Sequence, residues 1–212
     1  MNQVYFGTIA SYDDLDLFLA DVDIPSPEPQ RMVVDVPGRD GELDLSYGLS
    51  PETHFHNRQI TLKFAMKDFL FQWQTTFSTI RNLLHGQRFD VTIEPETDMY
   101  WKAFCTVDEA KADKNKGTVT IVLDAEPYMY KDYSMTQTAT SGGVSVTIPI
   151  TRKTDIPTVT SAANITITKD GEVYAFDAGT HRNPELRLTA GNNTLIIKGS
   201  GSVTIAYKDG SL

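Results

Sequence analysis

Glu94 and Glu96 stand two apart at the end of an alternating apolar run, a spacing that would bring both carboxylates to one face of a strand. Two carboxyl groups flanking a bond are what glycoside hydrolysis uses, one as acid and the other as base or nucleophile. Pro95 between them removes a backbone donor, which suits a sheet edge, where carboxylates solvate the strand end and discourage further pairing. His54 and His56 would project from the same side of an extended segment and so offer two imidazoles to a metal. No cysteine or third histidine stands nearby at ligand spacing, whereas a closed structural site takes four ligands. Ser145 lies in a run of Thr and Val with no histidine beside it, and no Gly-x-Ser-x-Gly elbow occurs. Gly199-Ser200-Gly201-Ser202 lacks the further glycine and helix of a dinucleotide loop, and the Lys and Ser/Thr of a phosphate loop; it reads as a turn. These residues nominate no catalytic group, no metal ligand and no cofactor, so the expectation is a protein that is not an enzyme.

The elements that would carry these residues are mostly strands. Val4/Phe6, Met32/Val34/Val36, Ile60/Leu62/Phe64, Phe89/Val91/Ile93 and Val119/Ile121/Leu123 alternate with the period of two that a half-buried strand requires. Cys105 alternates with Trp101, Ala103 and Val107 and reads as a small core filler; as the single cysteine it has no intramolecular disulfide partner. Asn115–Gly117 supplies turn chemistry for a hairpin between Trp101–Val107 and Thr118–Leu123. One segment changes period: Phe69, Trp73, Phe77, Ile80 and Leu84 recur at three- and four-residue spacings, which predicts a helix over Asp68–His85. Asp68 would be its N-cap, Gly86 its left-handed stop and His85 would sit at the negative dipole end. The fold class expected is therefore mainly β, with an α+β N-terminal domain: an antiparallel β-sandwich with one helix and a β-hairpin.

Two stretches in the N-terminal part fit neither core strand nor helix. Pro25-Ser26-Pro27-Glu28-Pro29 is stiff and poor in donors, so it suits an edge or an extended arm. Pro37–Asn57, punctuated by Gly38, Gly41, Gly48 and Pro51, far exceeds the usual connection of about 4–6 residues, and loops of that length generally have a task. Both read as contact elements. After Asp132 the composition turns to Thr, Ser and Gly, with short runs at Val144/Val146/Ile148, Ile165/Ile167, Leu186/Leu188, Leu195/Ile197 and Val203/Ile205. Turns are expected at Lys169-Asp170-Gly171, Gly191-Asn192-Asn193 and Gly199-Ser200-Gly201, as in a small antiparallel sandwich. The boundary is expected near Ser134–Gly143, dividing the chain into 1–134 and 135–212. Tyr174, Phe176 and Tyr207 on such a scaffold open the alternative of a carbohydrate-binding module, although aromatics alternating in strands usually belong to the core.

Of the 28 acids and 19 bases, 22 and 12 fall in residues 1–134, which concentrates the net charge of −9 there. An acidic surface is repelled by phosphate backbones and argues against nucleic-acid binding, which relies on clustered Lys and Arg. Met1–Ala20 has no basic stretch followed by an apolar one, and no apolar run approaches the ~18–20 residues of a membrane helix. The expectation is a soluble protein made in a reducing compartment.

Asp23-Ile24-Pro25-Ser26-Pro27-Glu28-Pro29, then Val34-Asp35-Val36-Pro37-Gly38-Arg39-Asp40-Gly41, then Asn57-Arg58-Gln59-Ile60-Thr61-Leu62-Lys63-Phe64, and later Ile80-Arg81-Asn82-Leu83-Leu84-His85-Gly86, together resemble the distal tail protein (Dit) family of long-tailed phages over about residues 1–130. The resemblance implies a virion protein at the distal end of the tail, synthesised in the host bacterial cytoplasm. It implies a hexameric ring between the tail tube and the tail-associated hub protein, with receptor-binding or baseplate proteins as further neighbours. It also implies a galectin-like or carbohydrate-module-like C-terminal β-sandwich; here that part, 78 residues by this division, is short and carries few of the family's motifs. Candidate inter-subunit contacts are Pro25, Pro27, Pro29, Arg39, Asp40 and Arg58, and candidate channel-facing acids are Asp40, Glu42 and Asp44. DNA would pass such a channel without being bound.

Overall fold

A computed structural model describes residues 3–49, 52–66, 73–113 and 116–212. The chain separates into two compact units, Met1–Pro127 and Tyr128–Leu212. In chain order the elements are β1 (Val4–Phe6), β2 (Ile9–Ala10), β3 (Leu17–Asp23), β4 (Val33–Val34), β5 (Leu43–Asp44), α1 (Ser46–Leu49), β6 (Arg58–Met66), α2 (Trp73–Leu84), β7 (Gln87–Ile93), β8 (Tyr100–Asp113) and β9 (Lys116–Ala139). There follow β10 (Val144–Ile150), β11 (Thr158–Ser161), β12 (Ile165–Lys169), β13 (Glu172–Phe176), β14 (Gly179–Arg182), β15 (Gly191–Gly199) and β16 (Gly201–Ser211). The fold is mainly β, and every strand pair with a defined register is antiparallel.

In the first unit the strands run in the order β3-β6-β9-β8-β7-β1-β2. Alternation decides which residues go inside: Ile60, Leu62 and Phe64 of β6 face the core beside Val119, Ile121 and Leu123 of β9, and all are buried. Phe6 meets Phe64 at 6.4 Å and Phe89 edge-on at 6.2 Å, a geometry that suits the ring quadrupoles. Cys105 is fully buried among these residues.

α2 lays Phe77, Ile80 and Leu84 against β8, and each such side chain taken out of water contributes about 1.5–3 kcal/mol. Gly86, at φ +79°, ends the helix in the left-handed conformation that a Cβ disfavours. Its N–H donates to Cys105 O at 2.9 Å, and Val107 N–H donates to His85 Nδ1 at 3.1 Å, which pins the helix end to β8. The expected N-cap Asp68, the apolar Phe69 and the turn residue Asn115 lie outside the described residues.

The second unit has two sheets, one with the order β10-β15-β12-β13 and one in which β14, β11, β16 and the Met129–Ala139 part of β9 pair in turn. Between them lies a closed core that includes Val146, Ile148, Ile167, Leu195, Ile197 and Val203. The β12–β13 turn places Asp170 at φ 53° and Gly171 at φ 88°, the two positive angles that a tight hairpin needs. Gly191-Asn192-Asn193 is not a turn: it opens β15, opposite Ile148–Ile150. Asn193 supplies the reason, because its buried amide bonds backbone on both sides and fixes the strand's start, donating to Thr189 O (2.7 Å) and Ile148 O (3.3 Å) and accepting from Thr189 N–H (2.9 Å).

Candidate functional site

The segment between β3 and β6 departs most from what alternation predicts. Met32, Val34 and Val36 alternate as a strand with one buried face, yet β4 is only Val33–Val34, and every residue from Glu28 to Glu42 is exposed. Ile24, Met32, Val33, Val34, Val36 and Leu45 are each between 37% and 52% exposed. The apolar face exists, but among the described residues it is left partly uncovered. Among the described residues β4 pairs with β5 alone, through Val33–Asp44 and Val34–Leu43, so the segment is a short ribbon rather than part of the main sheet.

Local polar contacts hold this ribbon in shape. Arg31 Nη2 donates to Asp44 Oδ2 at 3.0 Å, Ser46 N–H donates to Asp44 Oδ1 at 2.9 Å, and Met32 N–H donates to Ser46 Oγ at 2.8 Å. The Ser46 side chain and N–H, with Arg31 behind them, hold the Asp44 carboxyl down at about 2. At the base, Pro29 bridges Phe55, Gln30 N–H donates to His54 O, and His56 N–H donates to Glu28 O, both at 2.8 Å. A cleft of about 520 Å³ opens here, lined in part by Met32, Asp44, Glu52, His54 and His56. Both histidines line this cleft, but among the described residues no group of three His, Cys, Asp or Glu is placed to hold a metal.

The proposed contact residues distribute unevenly. Pro25, Pro29, Arg39 and Asp40 are exposed on the arm. Pro27, by contrast, is buried. Asp40 and Glu42 are exposed, whereas Asp44 is already engaged by Arg31 and Ser46. Arg58 is buried, with 7% of its surface exposed; its Nη1 reaches Pro25 O at 3.5 Å and its Nε has no hydrogen-bond partner. Burial lowers its pKa. No sequence pattern signalled a buried arginine here.

The two glutamates are held differently. Glu94 accepts from Gln3 N–H at 3.1 Å and Tyr5 Oη–H at 3.2 Å, and burial together with this carboxylate raises the Tyr5 pKa. Glu96 belongs to the following turn, its N–H donating to Ile93 O. In the second unit Phe176 is core, Tyr174 packs partly against it, and Tyr207 stacks on Tyr133 with ring centroids 5.3 Å apart and planes at 15°. These two tyrosines border a cleft of about 430 Å³ that also includes Asp132, Asp155, Arg182 and Lys208. Asp155 accepts from Lys208 N–H at 2.8 Å, and Asp132 pairs with Lys208 Nζ at 3.0 Å.

Comparison with solved structures gives a match over 100% of both chains, with a TM-score of 0.71 and 15% identity, to SPP1 Dit (gp 19.1), described as a paradigm of the hub adsorption apparatus in phages that infect Gram-positive bacteria. The fold is Dit-like. No family model matches the sequence, and no curated protein does. The Dit-like fold thus extends through both units, although sequence identity is low.

Proposed function

We propose that this protein is a non-enzymatic structural subunit of the tail tip of a long-tailed phage or phage-like particle. In this reading the N-terminal part closes with five copies of itself into a ring that joins the tail tube to the tail-associated hub protein. The C-terminal sandwich faces outward, towards receptor-binding or baseplate neighbours. The observation that carries the reading is the arm between β3 and β6: an apolar ribbon held in shape by its own ion pair and capping bonds but left uncovered, in a chain with a Dit-like fold. A preformed apolar surface of this kind marks an interaction site. When it meets a different patch on the next copy, and the rotation closes, the product is a ring.

Asp40 and Glu42 on the exposed part of the arm are the candidates for the channel wall, where carboxylates repel the phosphates of passing DNA. Native mass spectrometry and negative-stain imaging test the reading directly. A species of six 23.6 kDa chains with a central hole is expected. A chain that stays single at high concentration, alone and mixed with its tail-tube and hub neighbours, defeats it.

The cleft beside Tyr133 and Tyr207 favours a second reading, a carbohydrate-binding module that contributes to adsorption. Its paired acids and bases can accept from and donate to sugar hydroxyls. Specific hits on a glycan array from a protein that forms no oligomer would favour it over the ring.

A further inference from the structure

We infer that Arg58 is the seat for a carboxylate brought by the arm of a second copy of this chain, so that the protomer carries half of an ion pair completed only on assembly. The inference rests on the ring reading above and adds the contact that holds the ring.

Arg58 is 7% exposed as a residue and its Nε is out of solvent, and native proteins rarely leave a buried guanidinium nitrogen without compensation. Here the compensation is poor. Among the described residues Arg58 has one hydrogen bond, long at 3.5 Å and to the neutral carbonyl of Pro25, and no carboxylate within ion-pair distance. Its Nε is buried and unpartnered. Burial favours the uncharged form and lowers the Arg58 pKa, the opposite of what a neighbouring carboxylate would do. The position adds to the argument, because Arg58 begins β6 where the arm rejoins the sheet, and it touches Pro25 where the arm leaves.

The complementary charge is on the arm itself. Asp35, Asp40 and Glu42 are exposed and have neither an ion pair nor a side-chain hydrogen bond among the described residues, whereas Asp44 is occupied by Arg31. They flank the same apolar residues, Val33, Val34 and Val36, that lack cover. Docking this ribbon at the base of the next copy's arm removes both deficits together: the valines are covered, and one carboxylate enters beside Arg58. The contact joins two different patches, arm to arm-base, and so propagates around a ring.

Removing an unpaired buried charge and removing half of an interfacial ion pair have opposite signatures. Sedimentation velocity over a concentration series is expected to show self-association of the wild-type chain. It should be weakened by about tenfold or more in Arg58→Met and in the triple variant Asp35→Asn/Asp40→Asn/Glu42→Gln. Combining the two should weaken it no further than either alone, since both delete the same pair. Melting of dilute, monomeric Arg58→Met is expected at or above the wild-type temperature. The inference is overturned if Arg58→Met associates as tightly as wild type, if the two sets of substitutions act additively, or if the Arg58→Met protomer melts lower or fails to fold, which would mean the partner lies within the protomer. A wild-type chain that never associates defeats the ring reading itself; association that survives Arg58→Met defeats only this inference.

Discussion

Asn193 commits its whole amide to backbone: it accepts from Thr189 N–H and donates to Thr189 O, Ile148 O and Gly191 O. Asn193→Leu keeps the size but leaves Thr189 N–H and those carbonyls without their partner. The expected cost is about 2–3 kcal/mol, read as a fall in the denaturant midpoint. Asp44 is a different case, since its folded-state pKa of about 2 lies below the ~3.9 of an unfolded aspartate. A depressed pKa means that the stabilisation is complete above the unfolded value and lost as pH falls towards the folded one. The Arg31 and Asp44 side-chain NMR signals should therefore keep their ribbon shifts at pH 5 and lose them on titration from about 4 towards 2. In Asp44→Asn that step should vanish. Burial pushes the Cys105 thiol up to about 12, so it should resist a thiol reagent at pH 8 until the chain is unfolded.

At the scale of elements, α2 and the arm show two fates of an apolar pattern. Leu84 is fully buried, and Leu84→Ala is expected to cost about 2–5 kcal/mol of stability, measured by chemical denaturation. Val33 and Val34 are exposed, so Val33→Ser/Val34→Ser should change protomer stability by less than about 0.5 kcal/mol while weakening self-association. Equal effects on both measurements would mean that the ribbon is packed in the free chain after all. Both patterns are plain in the sequence, 3.6-residue periodicity in one and alternation in the other. Alternation states which residues share a face; it does not say whether that face meets the chain's own core or another molecule. The same gap let Gly191-Asn192-Asn193 read as a turn, because Asn193's bonding partner Ile148 is remote in sequence.

At the scale of the molecule, the apolar interior of the second unit is complete within it, from Ala139 to Ile205. Residues 128–212 expressed alone are accordingly expected to give dispersed amide NMR signals and a cooperative melt; a collapsed spectrum would mean that this core depends on the first unit. The net charge of −9 resides mainly in the other part of the chain, where the exposed acids of the arm sit beside its uncovered valines. In the proposed ring this combination would keep free chains apart through charge and leave the directional contact to Arg58 and an acid of the next copy.

Local chemistry was legible without coordinates, because strand alternation, helical periodicity and the positive-φ glycines at Gly86 and Gly171 depend on near neighbours along the chain. The mainly β class, the α2 face, the role of Cys105 as core filler and the extended Pro25–Pro29 segment all follow from such neighbours. Tertiary structure alone decided that Met32, Val34 and Val36 stay in solvent, that Pro27 and Arg58 are buried, and that Glu94 serves Gln3 and Tyr5. Burial and charge pairing depend on which distant segments arrive at a site, and neither composition nor spacing along a chain contains that distance.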